Sequence, residues 1–150
     1  MLVVSSMLVA ALYAVGASRM AITRERDRVL ATTLADDLLG FVHRLPYKSS
    51  SGTVLGLELG NLLGDKTTYD DIDDFQGWTE SPPSDATGNP IGGLAAWRRS
   101  VTVEWVDPDN PGVVVAGETG VKRITVVVQK SGVELARRAA LRTALSTAWE

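Results

Sequence analysis

The stretch "TTYDDIDDFQGWTESP" holds the residues whose chemistry is easiest to name. Asp70, Asp71, Asp73 and Asp74 put four carboxylates into five consecutive positions. Like charges this close repel unless water, salt or a cation offsets them. A hard, oxygen-seeking cation, Ca²⁺ first, is the sharpest chemical reading. The spacing differs from an EF-hand loop, which needs acids at alternate positions, a glycine at the sixth and a closing glutamate. The plainer alternative is a solvated loop whose aspartate side chains cap local turns. Paired carboxylates also serve glycosidases, but no other stretch of the chain offers a sugar cleft. Phe75 and Trp78, next to the acids, suit anchors that hold the loop to a core.

Other chemistry is sparse. The chain has no cysteine, which excludes thiol catalysis, disulfides and cysteine-ligated metals. His43 is the single histidine, so a catalytic triad or a multi-histidine zinc site would have to be built around that one side chain. It lies near the end of a helical pattern, where a cation is favoured by the helix dipole. No nucleophile–base pair is evident, and the expectation is a protein that is not an enzyme. A net charge of −3, from 15 basic and 18 acidic residues, argues against nucleic acid as a partner.

The elements that would position the acidic loop begin with "MLVVSSMLVAALYAVGASRMAITRERDRVLATTLADDLLGFVHRL". Residues 1–18 carry no charge. Leu2, Val3, Val4, Met7, Leu8, Val9, Leu12, Tyr13 and Val15 form an apolar run with small residues between them. That is close to the length of about 20 residues that spans a bilayer, and the small residues allow other helices to approach closely. From Arg19 the pattern becomes amphipathic: Leu30, Leu34, Leu38, Phe41 and Leu45 recur at helical spacing. Pro46 then ends the helix, because the residue before a proline is driven out of the helical conformation. We therefore expect one continuous helix over 1–45, with 1–18 as a membrane or assembly segment and 19–45 as an amphipathic part. At 1.5 Å per residue it would be about 65 Å long. A cleaved secretory signal suits this run less well, since no basic residue precedes it.

Residues 46–150 read as one β-rich head domain of roughly 100 residues, whose 46–96 portion is an irregular loop. Glycines every four residues through "TVLGLELGNLLGDK" oppose regular structure, and "SPPSDATGNPIGG" is turn-forming throughout. "WRRSVTVEWV" alternates as a strand, with Val101, Val103 and Trp105 on one face. "VKRITVVVQ" does the same with Ile124, Val126 and Val128. "KSG" suits a hairpin turn, and "VELARRAALRTALSTAWE" then reads as a returning strand through about Thr143, on the alternation of Val133, Leu135, Ala139 and Leu141. The fold class expected is α+β, a long N-terminal helix packed on a small antiparallel sheet.

This layout, an apolar-then-amphipathic helix, an irregular loop and an antiparallel sheet, resembles the type IV pilin and type II secretion pseudopilin family. "LVVSSMLVAALYAVGASR" is similar to the apolar segment of such proteins. "YDDIDDFQGW", "VKRITVVVQKSG" and "VELARRAALRT" resemble the loop and terminal strands of minor pilin-like members. The resemblance implies a pilin-like fold and a structural role in a filament, with other pilin or pseudopilin subunits as partners. It implies an inner-membrane location before assembly, with the head domain periplasmic, or a place in an extracellular or periplasmic filament. Family members usually begin with a short basic leader ending in glycine and carry a glutamate at the fifth mature position. Neither precedes or occupies the apolar run here, so the resemblance implies either a start upstream of Met1 or a leaderless variant. Some tip-located minor pseudopilins are similar in lacking the glutamate. Arg19, Arg24, Arg26 and Arg28 follow the span and, taken alone, would hold the domain on the cytoplasmic side; a basic leader would reverse that. The alternative is a single-span anchored β-rich binding module whose acidic loop holds Ca²⁺.

Overall fold

A computed structural model describes residues 2–49, 55–56 and 65–144, with the backbone alone for 2–11. Helix α1 runs Leu2–His43, about 63 Å at 1.5 Å per residue. It stops two residues short of the expected end. Arg44 and Leu45 donate backwards to Phe41 O (3.3 Å) and Val42 O (3.1 Å), a tightened last turn that Pro46 cannot continue. Leu45 still packs against the core.

Among the described residues four strands follow: β1 (Thr79–Glu80), β2 (Trp97–Trp105), β3 (Val121–Lys130) and β4 (Val133–Thr143). They pair in sequence order, all antiparallel, as a meander. The β3–β4 hairpin turns on Ser131 and Gly132, both with positive φ (50° and 81°). Two such residues make the mirror-image turn whose twist matches that of the strands it joins. The protein is thus α+β, with the C-terminal half of α1 laid across β3 and β4.

Between these layers lies the core, with Val101, Val103, Ile124, Val126 and Val128 from the sheet against Leu34, Leu38 and Val42 from the helix. Ala31 and Ala35 are also fully buried, and their small side chains bring the helix axis close to the strands. The buried stripe therefore lies about one residue round from the leucine repeat. Leu30, expected on that stripe, is exposed.

The face of β4 also differs from its sequence alternation. A bulge between the Val128 and Gln129 pairings leaves Leu135 without a partner across the ladder and reverses the faces beyond it. Ala136, Arg138 and Ala140 pair with Val128, Val126 and Ile124 on the helix side. Leu141 consequently faces solvent, whereas Val133, ahead of the bulge and opposite Lys130, is exposed at the end of the sheet.

Among its described residues the 46–96 loop contains two 3₁₀ turns, Lys66–Thr68 and Asp73–Phe75, besides β1. Most of "TVLGLELGNLLGDK" lies outside the described residues. Phe75 and Trp78 are buried as the sequence suggests, and Phe75 meets Tyr69, Trp78 and Phe41 edge-on at 4.9, 5.4 and 6.1 Å.

Phe75→Ala is expected to cost about 3–5 kcal/mol in urea unfolding, whereas Leu30→Ala should change stability by about 0.5 kcal/mol or less. Comparable losses at the two positions would mean that the helix sits in the register of its leucines instead.

Candidate functional site

The acidic loop is tied at both ends before it can do any chemistry. Ile72 N donates to Pro46 O at 3.2 Å, fastening the loop to the helix exit. The Asp71 carboxylate is buried and accepts from the backbone N–H groups of Asp73 (2.7 Å) and Asp74 (3.2 Å). It also accepts from Ser49 N. That is the local capping geometry expected of aspartate ahead of a tight turn. Asp74 accepts from Asp70 N at 3.2 Å.

Asp73 is directed elsewhere. Lys122 Nζ lies 2.7 Å from its Oδ1 and 2.8 Å from its Oδ2. The same ammonium donates to Tyr47 O at 2.8 Å and sits 3.9 Å from the centre of the Tyr47 ring. Tyr47 in turn donates its hydroxyl to Glu118, which also accepts from Gly120 N at 2.8 Å. Lys122 is only 1% exposed. Burial pushes the Asp73 carboxyl up to about 6, with Lys122 opposing the shift and Asp71 and Glu118 adding to it. Burial also raises the Tyr47 hydroxyl, and the Glu118 carboxylate raises it further.

Of the four acids grouped in sequence, Asp70, Asp71 and Asp74 come together, each with one carboxylate oxygen within 4.8 Å of the others. These three are the residues that could hold a hard cation. With one converging oxygen each they offer three of the six to eight that Ca²⁺ takes, so water would complete the shell.

A second cluster of buried charge lies at the other end of the domain. On the inner face of β2, Arg99 donates to Glu80 through Nε (2.7 Å) and Nη2, to Ser84 O (2.6 Å) and to Leu34 O in the helix (3.4 Å). Lys66 donates to Ser84 O (3.0 Å) and Ser84 Oγ (2.7 Å), and lies 3.5 Å from Glu80. Burial pulls the Lys66 ammonium below its ordinary value, while Glu80 opposes the shift. The Ser84–Lys66 spacing is that of a serine–lysine pair. Here, however, the Ser84 hydroxyl donates to Glu80 Oε2 at 2.6 Å and Ser84 N to Glu80 Oε1 at 3.2 Å. The group clamps the 80–91 loop to sheet and helix. Neither Lys122 nor Arg99 was singled out from the sequence. The signal was there, since period-2 alternation places Lys122 with Ile124 and Val126, and Arg99 with Val101 and Val103.

The predicted assembly residues lie on the helix that projects beyond the domain. Leu12, Tyr13 and Val15 are 66%, 77% and 52% exposed. Leu2, Val3, Val4, Met7, Leu8 and Val9 are helical in backbone, with side chains outside the described residues. Among the described residues, no helix is long and apolar enough to cross a membrane. Exposed Ile22 and Val29 continue from Val15 at seven-residue intervals. At about 100° per residue they form a stripe on the side of α1 opposite Ala31 and Leu38. His43 Nε2 lies 3.2 Å from Leu141 O and joins neither cluster. No family model, no curated protein and no solved structure matches the chain.

Two outcomes are expected. Asp73 binds its proton more tightly folded (about 6) than at its ordinary 3.8. The stability it contributes is therefore greatest below about pH 4 and is lost as the pH rises to about 6. Asp73→Asn should flatten that slope in urea midpoints measured across the window, and an unchanged slope would assign it to another group. Second, Ca²⁺ should raise the melting temperature of the full chain, and Asp70→Asn, at the exposed member of the trio, should abolish the rise. A melting temperature indifferent to Ca²⁺ leaves the loop a structural turn.

Proposed function

We propose that the chain is a structural subunit of the pilin-like or pseudopilin kind, assembling through its N-terminal helix into a type IV pilus-like or type II secretion filament. The observation that carries this reading is the division of α1. Its C-terminal part, from Asp27 onward, is held on the sheet, and every described residue from Leu12 to Arg26 is exposed. In a soluble monomer such a projection would leave Leu12, Val15, Met20, Ile22 and Val29 in water, a cost that burial in lipid or among other helices removes.

Before assembly, the uncharged run would rest in the inner membrane with the domain on the periplasmic side. In the filament, the same run would pack among the helices of neighbouring subunits. Lipid tails are as apolar as leucine, so burial alone gives little preference for a filament over a bilayer. Close approach at Ala14, Gly16 and Ala17 would supply the packing. The reading requires no catalytic residue.

A second reading has one observation in its favour, the convergence of Asp70, Asp71 and Asp74. It is the single-span anchored β-rich module, with a cation organising the loop for ligand recognition. The two part on oligomeric state, since the module stays monomeric in detergent.

Leu12→Asp and Ile22→Asp test the filament reading. Both sites are exposed and lie away from the core, so the melting temperature should stay near that of the wild type. Recovery of the chain in filament or heteromeric fractions should nevertheless be lost. Assembly at wild-type yield in both variants would overturn the proposal.

A further inference from the structure

The exposed surface of α1 carries more than an apolar stripe. Arg19, Arg24, Arg26 and Arg28 all lie on it, all are exposed, and among the described residues none forms an ion pair. We propose that these arginines form a collar that binds the anionic phosphate head groups of a lipid surface where the helix enters the bilayer. This rests on the reading that residues 1–18 lie in lipid.

Three observations favour a lipid surface over a partner protein. The first is angular. At about 100° per residue, Arg19 and Arg26 fall on one side of the helix, and Arg24 and Arg28 fall on roughly the opposite side. A single helix docked against α1 would meet one pair and leave the other. A plane of head groups surrounds the helix and meets both.

The second is axial. Arg24, Arg26 and Arg28 occupy about 6 Å of helix rise, close to the thickness of roughly 5–7 Å of the polar layer on each side of a bilayer. Arg19 lies deeper, where a long side chain can extend along the helix to bring its charge to the head groups. Below it, Leu12, Tyr13 and Val15 present the exposed apolar surface that the acyl chains would cover.

The third is electrostatic. Two acids, Glu25 and Asp27, interrupt the arginines. Asp27 is held by Lys130 Nζ at 2.7 Å, and Lys130 also lies 5.3 Å from the Trp97 ring centre. The domain thus supplies the counter-charge for one acid that would otherwise repel phosphate. Four arginines against Glu25 leave a cationic ring beside the end of the sheet.

The experiment is flotation of the full chain with phosphatidylcholine vesicles and with vesicles containing one third phosphatidylglycerol. Anionic lipid should raise the bound fraction, and high salt should weaken the gain. Each basic residue near an anionic surface changes partitioning about fivefold, so Arg24→Gln/Arg26→Gln/Arg28→Gln should lower binding to anionic vesicles roughly hundredfold. Helix content and melting temperature should be unchanged. Arg44→Gln, at the far end of α1, should bind as the wild type does. Equal binding of the wild type to both vesicles overturns the collar and leaves lipid insertion of residues 1–18 standing. Binding to neither overturns both. A triple variant that keeps the anionic preference overturns the collar, as does a wild type indifferent to lipid charge whose self-association is instead salt-sensitive.

Discussion

The helix is longer than the sheet that covers it, and most other features follow from that mismatch. β3 has 10 residues, about 33 Å at 3.3 Å each, whereas α1 extends about 63 Å. A single layer of strands cannot shield such a helix along its whole length. Where the layers meet, Ala31 and Ala35 let them approach closely, and the valines of β2 and β3 fill the interface. Where the strands run out, just below the Asp27–Lys130 ion pair, the helix continues with apolar side chains in the open. This is the surface that the proposed burial in lipid or among other helices would cover.

Two buried cations then hold the part of the domain that lacks regular structure. Lys122 and Arg99 both project from the sheet's inner face, and each reaches a loop: Lys122 to Asp73 and Tyr47, Arg99 to Glu80 and Ser84. Desolvating such pairs offsets much of their attraction, so they are weak contributors to net stability. Removing one partner is a different matter and typically costs about 3–5 kcal/mol, because it strands the other charge. What they do hold is position: they tie Tyr47, Asp73, Glu80 and Ser84 to the inner face of the sheet. The acidic loop belongs to this arrangement. Asp71 and Asp73 serve the fold, and the same tethering brings Asp70 and Asp74 to Asp71.

Much of this was legible in the residues. The strands from Trp97 and Val121, the Ser131–Gly132 turn and the helix stop before Pro46 each rest on local rules, and those rules act here without interference. The misreadings come from tertiary choices that local patterns do not encode. Leu30 fits the helical period as well as Ala31 does, and only the closeness of the sheet favours the smaller side chain. One unpaired residue at Leu135 reverses the faces of β4, although the alternation Val133, Leu135, Ala139, Leu141 reads without a break. The acids looked like one ligand set because sequence shows proximity. It does not show that Lys122, some fifty residues away, takes Asp73 from the group.

The ion pairs between helix and sheet add a constraint that packing alone would leave loose. An apolar stripe against a valine-rich face tolerates small rotations about the helix axis, since such contacts carry little directionality. Asp27–Lys130 at 2.7 Å and Asp36–Arg138 at 2.8 Å attach the helix to β3 and β4 at two heights. Both pairs are partly exposed, so their net energy is small. Their geometry still penalises rotation in either direction. With the rotation set, the Val15–Ile22–Val29 stripe points away from the domain, and a neighbouring helix has an unobstructed approach from that side. In the proposed filament, the angular position of the sheet relative to a neighbouring helix would then be biased from the sheet side, well away from the contact itself.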